Sequence, residues 1–164
     1  MKNFQFLFAL LVASAFLFSC GDDDDDDDNG PGFIDQPIQG MINGQSWQAG
    51  SGLAEVASFE DNAIDIEITD LTVDDVCDEF FIEGLRLFFD VPDAVGTYEL
   101  GIDTEESITL YDPEGSLNII VLEGTIEILT IDATEGGTVT GRIDGRSDDE
   151  NFVNGNFTVT YCPE

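Results

Sequence analysis

Ala63-Ile64-Asp65-Ile66-Glu67-Ile68-Thr69 alternates without a break. Ile64, Ile66 and Ile68 share one face while Asp65, Glu67 and Thr69 share the other, the period-2 signature of a strand buried on one side and wet on the other. Downstream, Phe80 to Phe89 is apolar on both faces, interrupted only by Glu83 and Arg86, and reads as the most buried strand, ended by Pro92. Upstream, Ile38 to Ile42 and Ser46 to Ala49 flank Asn43-Gly44. Asn-Gly tolerates the positive φ angles of a tight hairpin turn. Trp47 then falls where it serves as a core anchor or as the plug of a barrel end.

The same grammar continues to the C-terminus. Gly96 to Leu100 and Ser107 to Tyr111 read as short strands. Asn118 to Ile131 is long for one strand; its face pattern shifts around Leu129 and Gly124 lies inside it, features that a bulge or a sharp bend would explain. Thr138 to Ile143 puts Val139, Gly141 and Ile143 on one face. Asn156 to Tyr161 turns Phe157, Val159 and Tyr161 inward, so Cys162 falls on the opposite parity, at the outer face or a strand end. No long 3.6-residue period appears. Eight or nine short strands joined by tight turns imply an all-β antiparallel barrel, with a β-sandwich as the alternative.

The first residues obey different rules. Met1-Lys2-Asn3 supplies a positive start, and Phe4 to Phe18 is an almost unbroken apolar run. A membrane-spanning helix needs roughly 20 apolar residues, and this run stops short of that at Ser19-Cys20. Residues 1–19 therefore read as a cleaved signal peptide. Leu17, Ser19 and Cys20 resemble the lipobox of bacterial lipoproteins, which implies acylation of Cys20 and a lipid anchor in place of a spanning helix; an ordinary secretory signal would leave Cys20 incidental. Seven aspartates, Asp22 to Asp28, follow. Such a run repels itself into an extended, solvated tether. Residues 20–37 are read as lipidated cysteine, tether and linker, with a reach from Cys20 to Gln36 of at most about 55 Å at about 3.3 Å per residue. One domain occupies 38–164, long enough for a single core.

The domain motifs also carry a resemblance. Ile42-Asn43-Gly44-Gln45-Ser46-Trp47 resembles the opening hairpin of uncharacterised Bacteroidota-type lipoprotein domains. Gly96-Thr97-Tyr98 resembles their mid-domain G-T-Y segment, and Thr138 to Ile143 with Gly155 to Tyr161 resembles their closing hairpin. The resemblance implies a calycin-like (lipocalin-like) barrel and transfers no catalytic residue. The acidic run behind Cys20 is similar to export signals that send such lipoproteins to the outer face of the outer membrane, the periplasmic face being the alternative. Gly21, in place of the aspartate that retains many Gram-negative lipoproteins in the inner membrane, agrees with onward transport.

Charge and residue types exclude much chemistry. Without Lys2, three arginines face 36 acids, a formal charge of −33, or −26 without the seven-aspartate run. Nucleic acid is excluded as a partner, because phosphate binding relies on Lys and Arg; positive partners and divalent cations are favoured. With no histidine, and no lysine after position 2, Ser-His and Cys-His catalysis, Schiff-base chemistry and phosphate loops are all unsupported. With Cys20 acylated, Cys77 and Cys162 remain as an even pair in an oxidising compartment, either bridged or separately buried as thiols.

What remains are weak candidates. Trp47, Phe81, Phe89, Tyr98 and Phe157 can line a barrel cavity for an apolar ligand or simply fill it. Glu83 faces either a barrel interior or solvent beside Arg86. Calcium, the better-motivated ion, has candidates in Asp74, Asp75 and Asp78 and in Asp148 and Asp149, with solvated turn acids as the alternative. Asp25, Asp27, Asn29 and Gly30 match part of an EF-hand loop, but Gln36 stands where its bidentate glutamate belongs. The expectation is a monomeric, non-enzymatic binding or accessory module without cofactor; a carrier of an apolar ligand and a carboxylate-dependent glycosidase are the alternatives.

Overall fold

The computed structural model describes residues 32–58, 62–78, 83–104 and 106–163. The segment read as a signal peptide, Cys20 and the aspartate run lie outside the described residues, as do Phe80 and Phe81.

Among the described residues eleven strands follow one another: β1 Gln39–Ile42, β2 Gln45–Gln48, β3 Ser51–Val56, β4 Ala63–Thr69, β5 Arg86–Pro92, β6 Gly96–Leu100, β7 Ile108–Asp112, β8 Leu117–Val121, β9 Gly124–Ile131, β10 Thr138–Asp148 and β11 Asn151–Tyr161. Nine of them run in the order β6-β9-β10-β11-β3-β4-β5-β7-β8 and curl into a nearly closed, mostly antiparallel barrel, the fold expected from the alternation. Leu100 of β6, Val121 of β8 and Ile108 of β7 converge on Gly145 of β10, where a Cβ would lie 3.0 Å from Ile108 Cδ1. Apolar side chains thus seal the seam.

β11 is the strand on which the rest is assembled. One of its edges carries β10 along almost its whole length. The other edge is divided: Gln39 to Met41 of β1 pair with Asn154 to Phe152, while Leu53 and Ala54 of β3 pair, in parallel, with Thr160 and Tyr161. The β1–β2 hairpin turns through Asn43 (φ 50°) and Gly44 (φ 72°), both in the left-handed region that an Asn-Gly turn was expected to use. Trp47 is then buried, and its indole N–H donates to the Leu85 carbonyl at 3.0 Å.

Three segments differ from expectation. β3 carries no visible alternation, because its inward positions are Gly52 and Ala54. A Cβ on Gly52 would stand 2.6 Å from Val159 Cγ1, so β3 can lie this close to β11 only without a side chain there. Of the apolar stretch from Phe80 to Phe89, the described part forms strand from Arg86 onward. Gly84 takes φ 81° and turns the chain against Thr69, Asp70 and Leu71, leaving Glu83 exposed. Asn118 to Ile131 is two strands, and both features of its pattern are realised. The chain bends at Gly124 (φ 134°), passing from β8 beside β7 to β9 between β6 and β10. The register with β10 shifts where Thr140–Thr130 gives way to Gly141–Ile128, skipping Leu129.

Cys162, one residue beyond β11, bonds to Cys77 in the segment between β4 and β5, and its N–H donates to Ala54 at 2.8 Å. The bridge closes 85 residues and ties the end of β11 to the β3–β4–β5 wall.

Removing the bridge with Cys77→Ser/Cys162→Ser is expected to lower unfolding stability by about 2–5 kcal/mol. Gly52→Val should lower it by about 1–3 kcal/mol through overpacking against Val159. Urea midpoints with an unchanged denaturant slope check both; a Gly52→Val midpoint equal to wild type would mean β3 does not press on β11.

Candidate functional site: a groove on the outer face of the barrel

The barrel interior is occupied by its own side chains. Phe89 and Phe157 meet edge to face with centroids 5.8 Å apart, and with Trp47 they are buried among Ile64, Ile66, Leu87 and Ile143. These three aromatics belong to the buried core of the barrel. Tyr98 sits half-buried on β6, donating its hydroxyl to the Ala94 carbonyl at 2.8 Å, and burial together with Glu106 and Asp93 pushes its phenol pKa up.

A groove of about 650 Å³ lies instead on the outer face, across β3, β4, β5, β7 and β8. Strand pairing arranges its side chains in rows, because directly opposed residues on neighbouring antiparallel strands point to the same side about 5 Å apart. Leu53, Glu67, Phe88 and Thr109 form the central row. Glu55, Asp65 and Asp90 form the row on one side, three carboxylates abreast. Arg86, Tyr111 and Asn118 form the row on the other.

The two charged rows differ in their chemistry. Arg86 Nη1 donates to Glu67 Oε1 at 2.8 Å, with only 18% and 28% of the two side chains exposed. The guanidinium also lies 4.6 Å from the centre of the Tyr111 ring, which tilts against Phe88 at 6.4 Å. It is an organic cation seated between a carboxylate and an aromatic face. Burial nevertheless holds Glu67 above the ordinary carboxylate value, outweighing the hydrogen bond and charge of Arg86. Asp65 is raised too, first by burial and then by the charge of Asp90, against a hydrogen bond from the Ser58 backbone. Like charges directly opposed across strands are destabilising, so this row is a built-in electrostatic liability.

Several acids elsewhere hold turns together. Asp112, buried at the end of β7, accepts from Asn43 Nδ2 at 2.8 Å, Gln45 Nε2 at 3.4 Å and Glu114 N–H at 2.9 Å. The Asn43 hydrogen bond leads in holding its pKa below the ordinary value, and the node pins the β1–β2 turn to β7. Asp148 accepts from the Glu150 N–H and from Asn151 Nδ2, while Asp149 pairs with Arg146 at 3.0 Å. Asp74, Asp75 and Asp78 lie in the turns after β4, where the Asp78 N–H donates to the Asp75 carbonyl at 3.4 Å. Among the described residues, no three His, Cys, Asp or Glu side chains converge as metal ligands. Gln36, the last position of the partial EF-hand match, donates instead to the Asn154 carbonyl; Asp25 to Gly30 lie outside the described residues.

Residues 32–37 pack along the β10–β11 hairpin. The Gly32 and Ile34 N–H groups donate to Asp144 and Asn154, Asn156 Nδ2 donates to Asp35, and Phe33 lies under the Arg142 guanidinium at 4.4 Å. Sequence reading missed the groove because its residues belong to the polar face of strands whose buried face carried the signal. The interruption of an apolar stretch by Arg86, which pairs across the ladder with Thr69 and reaches diagonally to Glu67, was the available trace. Compared with protein-family models, curated proteins and solved structures, the chain matches none.

Because Asp65 has a folded-state pKa above its unfolded one, its ionisation destabilises the fold. The contribution is fully favourable below the ordinary value of 3.8 and is lost as pH rises through the raised value. Asp65→Asn should therefore shrink the drop in stability between pH 3.5 and pH 7, read from urea midpoints at both. An unchanged drop would show that the carboxylate row carries no strain.

Proposed function

We propose that this chain is a lipid-anchored, non-enzymatic binding module of a bacterial outer membrane, and that the groove on the β3–β8 face is its working surface. The observation that carries the reading is the groove itself: half-buried carboxylates beside aromatic rings on the outside of a barrel whose interior is packed. A carrier of an apolar ligand needs interior space, and Trp47, Phe89 and Phe157 take up that space. No histidine or lysine stands in the domain to run nucleophilic or acid–base chemistry near neutrality.

The address rests on sequence: the apolar leader, the lipobox-like Leu17 to Cys20, the aspartate run and the resemblance to Bacteroidota-type surface lipoproteins. The fold accommodates such an anchor. The chain leaves the domain where Gly32 and Phe33 lie on β10, and three strands, β11, β3 and β4, separate β10 from β5 in the nine-strand order. The linker at Gly32 is thus fastened on a different part of the barrel from β5, which leaves the groove accessible in an anchored chain.

Two measurements test this. Cells fed an alkyne-tagged fatty acid should label the wild-type chain and leave Cys20→Ser unlabelled; equal labelling of both would remove the anchor from the proposal. Protease added to intact cells should degrade a surface-exposed domain, whereas protection until the outer membrane is opened would place it on the periplasmic face.

A further inference from the structure

We infer that the groove binds an organic polycation, ammonium groups carried on an aliphatic chain. This rests on the reading of the groove as the ligand surface and names the ligand class for it.

The groove already shows how it treats such a group. Arg86, an organic cation on an aliphatic stem, is held between the Glu67 carboxylate and the Tyr111 ring. One row away the same ingredients recur. Phe88 lies two residues from Asp90 on the same face of β5, Asp65 stands opposite Asp90, and Leu53 continues the apolar floor on β3. The chain's own cations are committed: Arg86 to Glu67, Arg142 to Glu127 and Arg146 to Asp149. After Lys2 there is no lysine. A second cation for the Asp65–Asp90 row therefore has to come from outside.

The form of that cation follows from the geometry. A bare divalent ion needs several oxygens converging on one point, and no three acids converge in that way among the described residues. Carboxylates spread along a row over an apolar floor suit a cation that is itself extended. Its ammonium groups reach Asp65 and Asp90 while its methylenes cover Leu53 and Phe88. The volume of about 650 Å³ lies within the range of small-molecule sites. An arriving positive charge would also relieve the crowding that lifts the Asp65 pKa. The net charge of the chain, −32 over its full length, draws cations towards it from every side, so the test must separate a site from a counterion atmosphere.

Isothermal titration of spermidine into the mature chain, purified in neutral detergent at 150 mM sodium chloride, makes that separation. The expected result is saturable one-site binding, weakened about tenfold or more by Phe88→Ala and by Asp90→Asn. Glu135→Gln, which removes one exposed charge on the turn before β10, should leave it unchanged. Circular dichroism melts confirm that each variant is folded, and Phe88→Tyr, which keeps the ring, should restore binding if Phe88→Ala lowers the melting temperature. Magnesium chloride at matched ionic strength should give no saturable heat. Spermidine heats that fail to saturate, or that equal those of magnesium, overturn the inference. A neutral oligosaccharide that binds in a Phe88-dependent way while spermidine does not would overturn the cation and keep the groove. Saturable spermidine binding indifferent to Phe88 and Asp90 would overturn the groove reading itself.

Discussion

The divided edge of β11 is the constraint on which the fold depends. A strand offers two rows of hydrogen-bonding groups, and β11 gives one of them whole to β10 and the other in halves to β1 and β3. That division turns a meander into a barrel. It makes β3 parallel to β11, starts the β3–β4–β5–β7–β8 wall from its C-terminal half, and leaves its N-terminal half to the β1–β2 hairpin that carries Trp47 inward. The disulfide stands at the same place: Cys162 follows the last β11 residue, and its N–H extends the β3 pairing at Ala54.

This dependence explains which parts of the structure could be read from sequence. β4, β10 and the end of β11 bury every second residue against a core, so Ile64, Ile66 and Ile68, or Phe157, Val159 and Tyr161, announce their faces. The Asn43-Gly44 turn is equally local, since the φ angles it needs select its residues. β3 was invisible for the opposite reason. Its place is set by what it must not contain, a side chain at Gly52 between itself and Val159, and that requirement exists only once β11 is in position. β11 itself begins five residues before its readable part, because Asn151, Asn154 and Gly155 serve turn, tether and close approach more than hydrophobic burial.

The groove was harder still. Hydrophobic alternation reports one face of a strand and is silent about the other, where Asp65 and Glu67 look like ordinary outward residues, while Phe88 reads as part of a strand buried on both faces. Only the register brings Glu55, Asp65 and Asp90 abreast and sets Arg86 over Tyr111. In a chain with 36 acids, a sequence-level search for meaningful carboxylates has no contrast. Burial and strand pairing supply it: they set Asp65 and Glu67 apart as half-buried acids whose pKa values are raised.

An acidic chain has many ways to place carboxylates apart, and most of this surface does so by putting them in turns or pairing them with backbone N–H groups. Asp112 shows the stabilising use of the same side chain, with donors converging on it and a lowered pKa. The Asp65–Asp90 pair shows the reverse: two acids opposed across a ladder, partly shielded from water, with the three arginines paired elsewhere. The fold that satisfies Asp112 so fully holds Asp65 against Asp90 beside an aromatic floor, with a Ser58 backbone hydrogen bond as the lowering influence on Asp65. That pair lies on β4 and β5, and β11 and β3 stand between it and β10, where Gly32 is fastened, so a charge completing it would approach a different part of the surface from the one that holds the linker's first residues.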